Sequence, residues 1–182
     1  MRVCLDACVL YPTVLREILV GVAARGGFRP LWSPRILEEW ALAARKLGPE
    51  GEAVARAEIA ALRAAWPGAE LRPRDGDLSR LHLPDPDDVH VLAAAVAGSA
   101  EVLCTFNARD FPRRTLALEG LERLDPDQLL RRVWEADAES VAATVARVHA
   151  TAERLSGERL PLRPLLKRAR LPRLARALSA AG

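Results

Sequence analysis

Two short apolar runs, separated by stretches with helical spacing, constrain the architecture most. They are RVCLD (residues 2–6) and EVLCTF (residues 101–106). Each is too short to be a buried helix, and neither alternates apolar with polar as a half-exposed strand does. Both read as strands buried on two faces. Between them, TVLREILVGVAARGG (13–27) has apolar residues at helical spacing and a glycine pair to stop it. FRPLW (28–32) is a short extended piece. A second helix follows over 33–48, with Ser33 as N-cap, Pro34 at its first position and Gly48 past its end. A third covers 50–66 and closes at Pro67-Gly68. Residues 69–83 read as irregular, with one or two short strands. The next helix starts at Asp85-Pro86 and has a body, VLAAAVA, that is apolar on every side and therefore buried.

Strands alternating with helices imply an α/β fold around a mainly parallel sheet. After the second apolar run come a loop (107–112), then a short helix and strand (113–124), and then a helix capped by Asp125. From there the chain reads as helix throughout: one long helix over 137–157 and two short ones over 160–182, broken at Pro172. No repeat and no low-complexity linker sets this tail apart. It reads as a helical extension packed on the same domain.

A chain of 182 residues can bury a sizeable core. Formal net charge is only +3. The cations are mostly arginine, which grips phosphate bidentately, although a GC-rich coding bias produces the same excess. Three cysteines, none in a C-x-x-C pair, do not make a disulfide framework. No stretch approaches the roughly 20 apolar residues of a membrane span. An acid at position 6 is incompatible with a secretory signal. A soluble cytoplasmic protein is expected.

The acids fall where an open parallel sheet binds ligands, beyond the carboxyl ends of its strands. Asp6 ends the first run, and Asn107 and Asp110 follow the second. Asp85, Asp87 and Asp88 open the helix leading into that second strand, and Glu38 and Glu39 sit early in the helix that begins at Ser33. Taken singly, Asp85 is an ordinary cap and a glutamate on a helix flank is ordinarily solvated. The apolar stripe of Ile36, Leu37, Trp40, Ala44 and Leu47 puts both Glu38 and Glu39 at its borders and does not separate them. Asp6 is different, because apolar sequence flanks it on both sides and a buried carboxylate needs a partner. Carboxylates brought together repel, and a hard cation such as Mg²⁺ or Mn²⁺ relieves the repulsion. Such an ion acidifies a bound water and neutralises phosphate, which is the chemistry of phosphodiester hydrolysis.

With these segments in place, the sequence resembles the PIN domain family of metal-dependent nucleases. The resemblance runs in order through VCLDACVLYP, Leu15–Leu19, LWSPRILEEW, LPDPDDVHVLAAAVAG and LCTFNARDFP, from about residue 2 to about residue 130. It implies a three-layer α/β/α sandwich with a nuclease domain over residues 1–130 and an extension over 131–182. The tail is similar to that of a bacterial branch resembling the VapC-type toxins. The resemblance therefore further implies an endoribonuclease acting on RNA, an antitoxin protein as inhibitor, and a homodimer. Position by position, Asp6 matches the first metal acid, Glu39 the second with Glu38 as fallback, and Asp88 the third, with Asp85 and Asp87 as neighbours. The fourth acid has Asn107 in its usual place, which supplies no charge, so Asp110 is expected to reach the site instead. Thr105 matches a supporting hydroxyl, Ser33 marks the spacing to Glu39, and Arg16 and Arg35 match candidates for substrate phosphate or partner contact. Cys8 stands where the family has Asn, and a thiol cannot make the same amide bonds.

Other classes fit less well. An aspartyl-nucleophile phosphatase needs a second Asp where Cys8 stands. Cys4 and Cys104 read as small core residues. His90 reads as a satisfied core histidine, with a lesser chance of a role at the site beside Asp88. The basic tail, with Lys167, Arg168, Arg170, Arg173 and Arg176, reads as an amphipathic helix with a solvated face, or as a contact for RNA or an acidic partner. A PIN scaffold that binds RNA or a protein without cutting is the alternative, supported by Asn107 and Cys8.

Overall fold

The computed structural model describes residues 1–181. The elements run β1 (Arg2–Leu5), α1 (Ala7–Leu10), α2 (Thr13–Ala24), β2 (Arg29–Leu31), α3 (Pro34–Ala43), α4 (Gly51–Ala65), α5 (Asp75–Arg80), α6 (Val89–Ala97), β3 (Val102–Cys104), α7 (Arg113–Leu118), β4 (Glu122–Leu124), α8 (Pro126–Ala136), α9 (Ala138–Ser156), α10 (Leu162–Arg168) and α11 (Pro172–Ala181). The four strands form one parallel sheet in the order β2-β1-β3-β4. This is the α/β fold with a parallel sheet expected from the alternation of strands and helices, and it agrees with the α/β/α sandwich that the resemblance implies. The chain resolves into two compact units. Unit 1 comprises Met1–Tyr11 and Arg29–Arg123; unit 2 comprises Pro12–Phe28 and the chain from Leu124 onward.

In unit 1, β1 is an inner strand. Val3 lies opposite Pro30 of β2 and Val102 of β3, and Leu5 lies opposite Cys104. Val3, Cys4, Leu5, Leu103 and Cys104 are fully buried, as runs without polar alternation require. Cys4 and Cys104 are thus packing residues. The apolar body of α6 buries Val91 through Ala95 and packs on β1 and β3. At its end, a Cβ on Gly98 would come within 2.5 Å of Leu71 Cδ1 and 2.7 Å of Leu31 Cδ1, so glycine allows the close approach there. α3 buries Ile36, Leu37, Trp40 and Ala41 and packs on α1 and α4. Ser33 caps it through Oγ, which accepts from the Ile36 N–H at 3.2 Å.

Two features differ from the expectation. Residues 69–83 contain a single bridge, Glu70 beside Trp32, and then the helix α5 rather than strands. α5 has no fully buried residue; Arg80 ties its end to Glu119 through bonds of 2.7 and 2.8 Å. A short polar helix has no apolar stripe, so periodicity could not reveal it. The one-turn helix α1 also follows directly on Asp6, whose carbonyl accepts from Val9 and Leu10.

In unit 2, α2 packs on α9, α9 on α8, α8 on α11, and α11 on α10. α8 opens with a capping box. Asp125 Oδ1 accepts from the Gln128 N–H at 2.7 Å, and Gln128 Oε1 accepts from the Asp125 N–H at 3.0 Å. In the same first turn, the buried Asp127 accepts from the N–H groups of Arg173 and Leu174 at 2.8 and 2.9 Å. A side chain of α8 therefore caps α11. Among the described residues, no helix is long and apolar enough to cross a membrane.

Candidate metal centre

Asp6 sits one residue past β1 and is 7% exposed. Its backbone is held on both sides, because its N–H donates to Cys104 at 3.2 Å while its carbonyl receives the first turn of α1. The side chain is held through one oxygen. Oδ2 accepts from Thr105 Oγ1 at 2.6 Å and from Cys8 Sγ at 3.1 Å. Thr105, directly after β3, is buried and also accepts from the Asn107 N–H at 2.9 Å. Cys8 works in both directions, since its sulfur also accepts from the Phe106 N–H at 3.3 Å. Burial, reinforced by the Asp6 charge, pushes the Cys8 thiol up to about 12. It therefore keeps its proton and remains a donor to Asp6. A thiol thus spans the turn where an amide was expected.

The turn before α6 brings the next acids. Asp85 accepts from the Asp87 N–H at 2.9 Å, which caps the one-turn 3₁₀ helix Pro86–Asp88 leading into α6. Carboxylate oxygens of Asp85, Asp88 and Asp110 all lie within 4.8 Å of one another. Asn107 joins the loop to this group, its Nδ2 donating to Asp88 Oδ2 at 3.0 Å and its Oδ1 accepting from the Asp110 N–H at 3.4 Å. Asn107 thus bridges two acids in place of supplying a third charge. Arg123, which the sequence did not single out, clamps the same loop. Its Nη1 donates to the carbonyls of Ala108 and Phe111, each at 2.6 Å, on either side of Asp110. The only sequence signal was an arginine shortly after the loop.

The two glutamates of α3 go different ways. Glu38 is exposed and takes a bidentate grip from Arg56 of α4, at 2.7 and 2.9 Å. Glu39 faces α6, where its Oε1 lies 2.6 Å from His90 Nε2. Arg35 lies 3.6 Å from Glu39 and donates to the Asp87 carbonyl at 3.3 Å, tying α3 to the acidic turn. Ser33 is engaged as the helix cap. Arg16 is a buried residue of α2 in unit 2, where its Nε lies 3.8 Å from Glu17.

Burial pushes the half-buried Asp88 up to about 6, and the charges of Asp6, Asp85, Asp110 and Glu39 add to it in that order. Four acids, three of them from other segments, therefore act on one carboxyl. The donor set suits a hard cation: it is all oxygen and crowded enough to hold a proton in place of a charge. Asp88 has a testable sign. Between about 4 and 6 it is protonated in the native chain only, so the native state binds the extra proton and stability falls as pH rises through that window. Above it, Asp88 is ionised in both states. The metal-free protein should melt at a lower temperature at pH 6.5 than at pH 5 by a margin that Asp88→Asn removes. A melting curve equally steep in both proteins would put the effect elsewhere.

In comparison with known proteins, the family model described as PIN domain matches residues 2–109. No curated protein and no solved structure matches the chain.

Proposed function

The chain belongs to the PIN domain family, and on that premise we propose that it is a Mg²⁺- or Mn²⁺-dependent endoribonuclease, the toxin of a toxin–antitoxin pair. Members of the family are generally metal-dependent nucleases, and its nucleases act on RNA. The observation that carries the reading is the convergence of Asp85, Asp88 and Asp110, coupled through Asn107 and Thr105 to the buried Asp6. In this reading Asp6, Glu39, Asp88 and Asp110 hold the ion or ions, with Asp85 beside them. A divalent cation supplies a water of lowered pKa and charge to offset that of the phosphate.

The chain's own residues prepare the site. Thr105 and Cys8 both bond Oδ2 of Asp6, which fixes the carboxylate and leaves its other oxygen for a ligand. Asn107 orients Asp88, and Arg123 holds the loop that presents Asp110. Arg109, Arg113 and Arg114 are exposed on either side of Asp110 and offer cations to an RNA backbone. Residues 1–130 carry the nuclease activity and 131–182 form an extension. An antitoxin protein is the expected inhibitor, and a homodimer the expected assembly.

The test is cleavage of a structured RNA at neutral pH. Cleavage should require Mg²⁺ or Mn²⁺, stop with EDTA and return on adding Mn²⁺ in excess. One observation favours a second reading: the amide of Asn107 stands where the family has an acid. If the folded protein binds RNA but cuts none with either metal, it is a binding scaffold and not a nuclease.

A further inference from the structure

The imidazole of His90 is 4% exposed, and neither ring nitrogen has a hydrogen-bond partner among the described residues. Buried polar groups almost always have such a partner, so this one calls for an explanation. Its Nε2 lies 2.6 Å from Glu39 Oε1 but lacks the alignment of a hydrogen bond. The carboxylate turns on a broad terminal torsion, so a small rotation of Glu39 aligns the pair at little cost. The neutral Nε2–H tautomer suffices for this bond.

We propose that His90 is a positioning residue that selects Glu39, rather than Glu38, as the α3 ligand of the metal centre. The proposal rests on the metal-dependent reading above and adds a residue to it. The adjacent glutamates of α3 are sorted by different helices. Arg56 of α4 grips Glu38 at 2.7 and 2.9 Å, whereas His90 of α6 contacts Glu39. His90 lies two residues after Asp88, so its ring ties the α3 acid to the turn that carries Asp85 and Asp88. Glu39 is repelled by those acids, and its own charge contributes to the rise of Asp88. A carboxylate under such repulsion swings away unless something holds it; the exposed Arg35 attracts it from 3.6 Å, and an imidazole N–H from the core fixes it at closer range without adding charge. His90 itself does not complete a set with Asp85 and Asp88; the close triad is Asp85, Asp88 and Asp110.

The experiment measures Mn²⁺ binding by calorimetry at fixed pH, with melting temperatures alongside. The proteins are the wild type, His90→Leu, His90→Gln, Glu39→Gln and the double variant His90→Leu/Glu39→Gln. Leucine fills the buried volume and removes the orphaned nitrogens, so the melting temperature should hold or rise. Mn²⁺ affinity should nevertheless fall about 10-fold, as loss of an outer-shell partner does. Glutamine keeps an N–H near the Nε2 position and should recover most of the affinity. In the Glu39→Gln background, His90→Leu should change affinity by less than about 2-fold, because the two act as one unit. An equal loss in both backgrounds, or no loss in either, overturns the proposal while leaving the metal centre standing. A wild type that binds no Mn²⁺ overturns the metal-dependent reading and this proposal with it.

Discussion

Asp6→Asn removes metal-dependent RNA cleavage, by on the order of 100-fold or more, and leaves the fold intact. Asparagine has the same shape and keeps an oxygen that can accept from Thr105 and Cys8, so the turn after β1 survives. What disappears is a buried negative charge just past the end of an inner strand. That charge is also the largest contributor, after burial, to the upward shift of Asp88. The variant therefore carries a second signature: Asp88 moves back toward the ordinary aspartate range, and the melting temperature of the metal-free protein stays level or rises near neutral pH. Cleavage assays with Mn²⁺ and thermal melts read the two together. Cleavage equal to that of the wild type would remove Asp6 from the site and the nuclease reading with it. A collapsed melting temperature would mean that the charge holds the turn together instead of opposing it.

Asp127→Ala destabilises the protein by about 2–4 kcal/mol, through a part of the chain with no role in the metal centre. The carboxylate is 5% exposed and accepts from two N–H groups in the first turn of α11. Those donors are among the groups a helix cannot satisfy from within, and the positive end of the helix favours an anion there. Alanine leaves both without an acceptor. For a chain of this size the loss corresponds to a fall of roughly 5–15 °C in melting temperature. Asp127→Asn, which keeps an acceptor but no charge, should cost about half as much. Hydrogen exchange at Arg173 and Leu174 should accelerate first. A melting temperature within a degree of the wild type would show that solvent caps α11 as well as Asp127 does.

The elements legible in the sequence were those whose signals are local. Ser33-Pro34 and Asp125-Pro126 mark helix starts in the sequence and cap helices in the structure. The unalternating RVCLD and EVLCTF became strands buried against neighbours on both sides. What escaped the sequence depends on partners from elsewhere. Helical spacing could not choose between Glu38 and Glu39, because Arg56 and His90, on two other helices, make the difference. Cys8 was legible only as a missing asparagine. Its bonds to Thr105 and Phe106 cross almost a hundred residues of chain and carry no local pattern. Asp127 carries no signal in the local sequence, since its partners lie 46 and 47 residues away.

The composition of unit 2 bears on the order in which the chain can acquire its structure as it is made. α2 ends at Ala24, yet α9, the helix it packs on, begins at Ala138. The carboxylate that anchors α11 waits in turn for residues 173 and 174. On a ribosome, α2 emerges early with its apolar side uncovered, and it stays so until α9, more than a hundred residues further on, has been translated. Pairing over such separations carries a high loop-closure cost and slows folding. Sequence lost from the C-terminal end therefore acts at a distance, depriving a helix near the N-terminus of the surface it folds against.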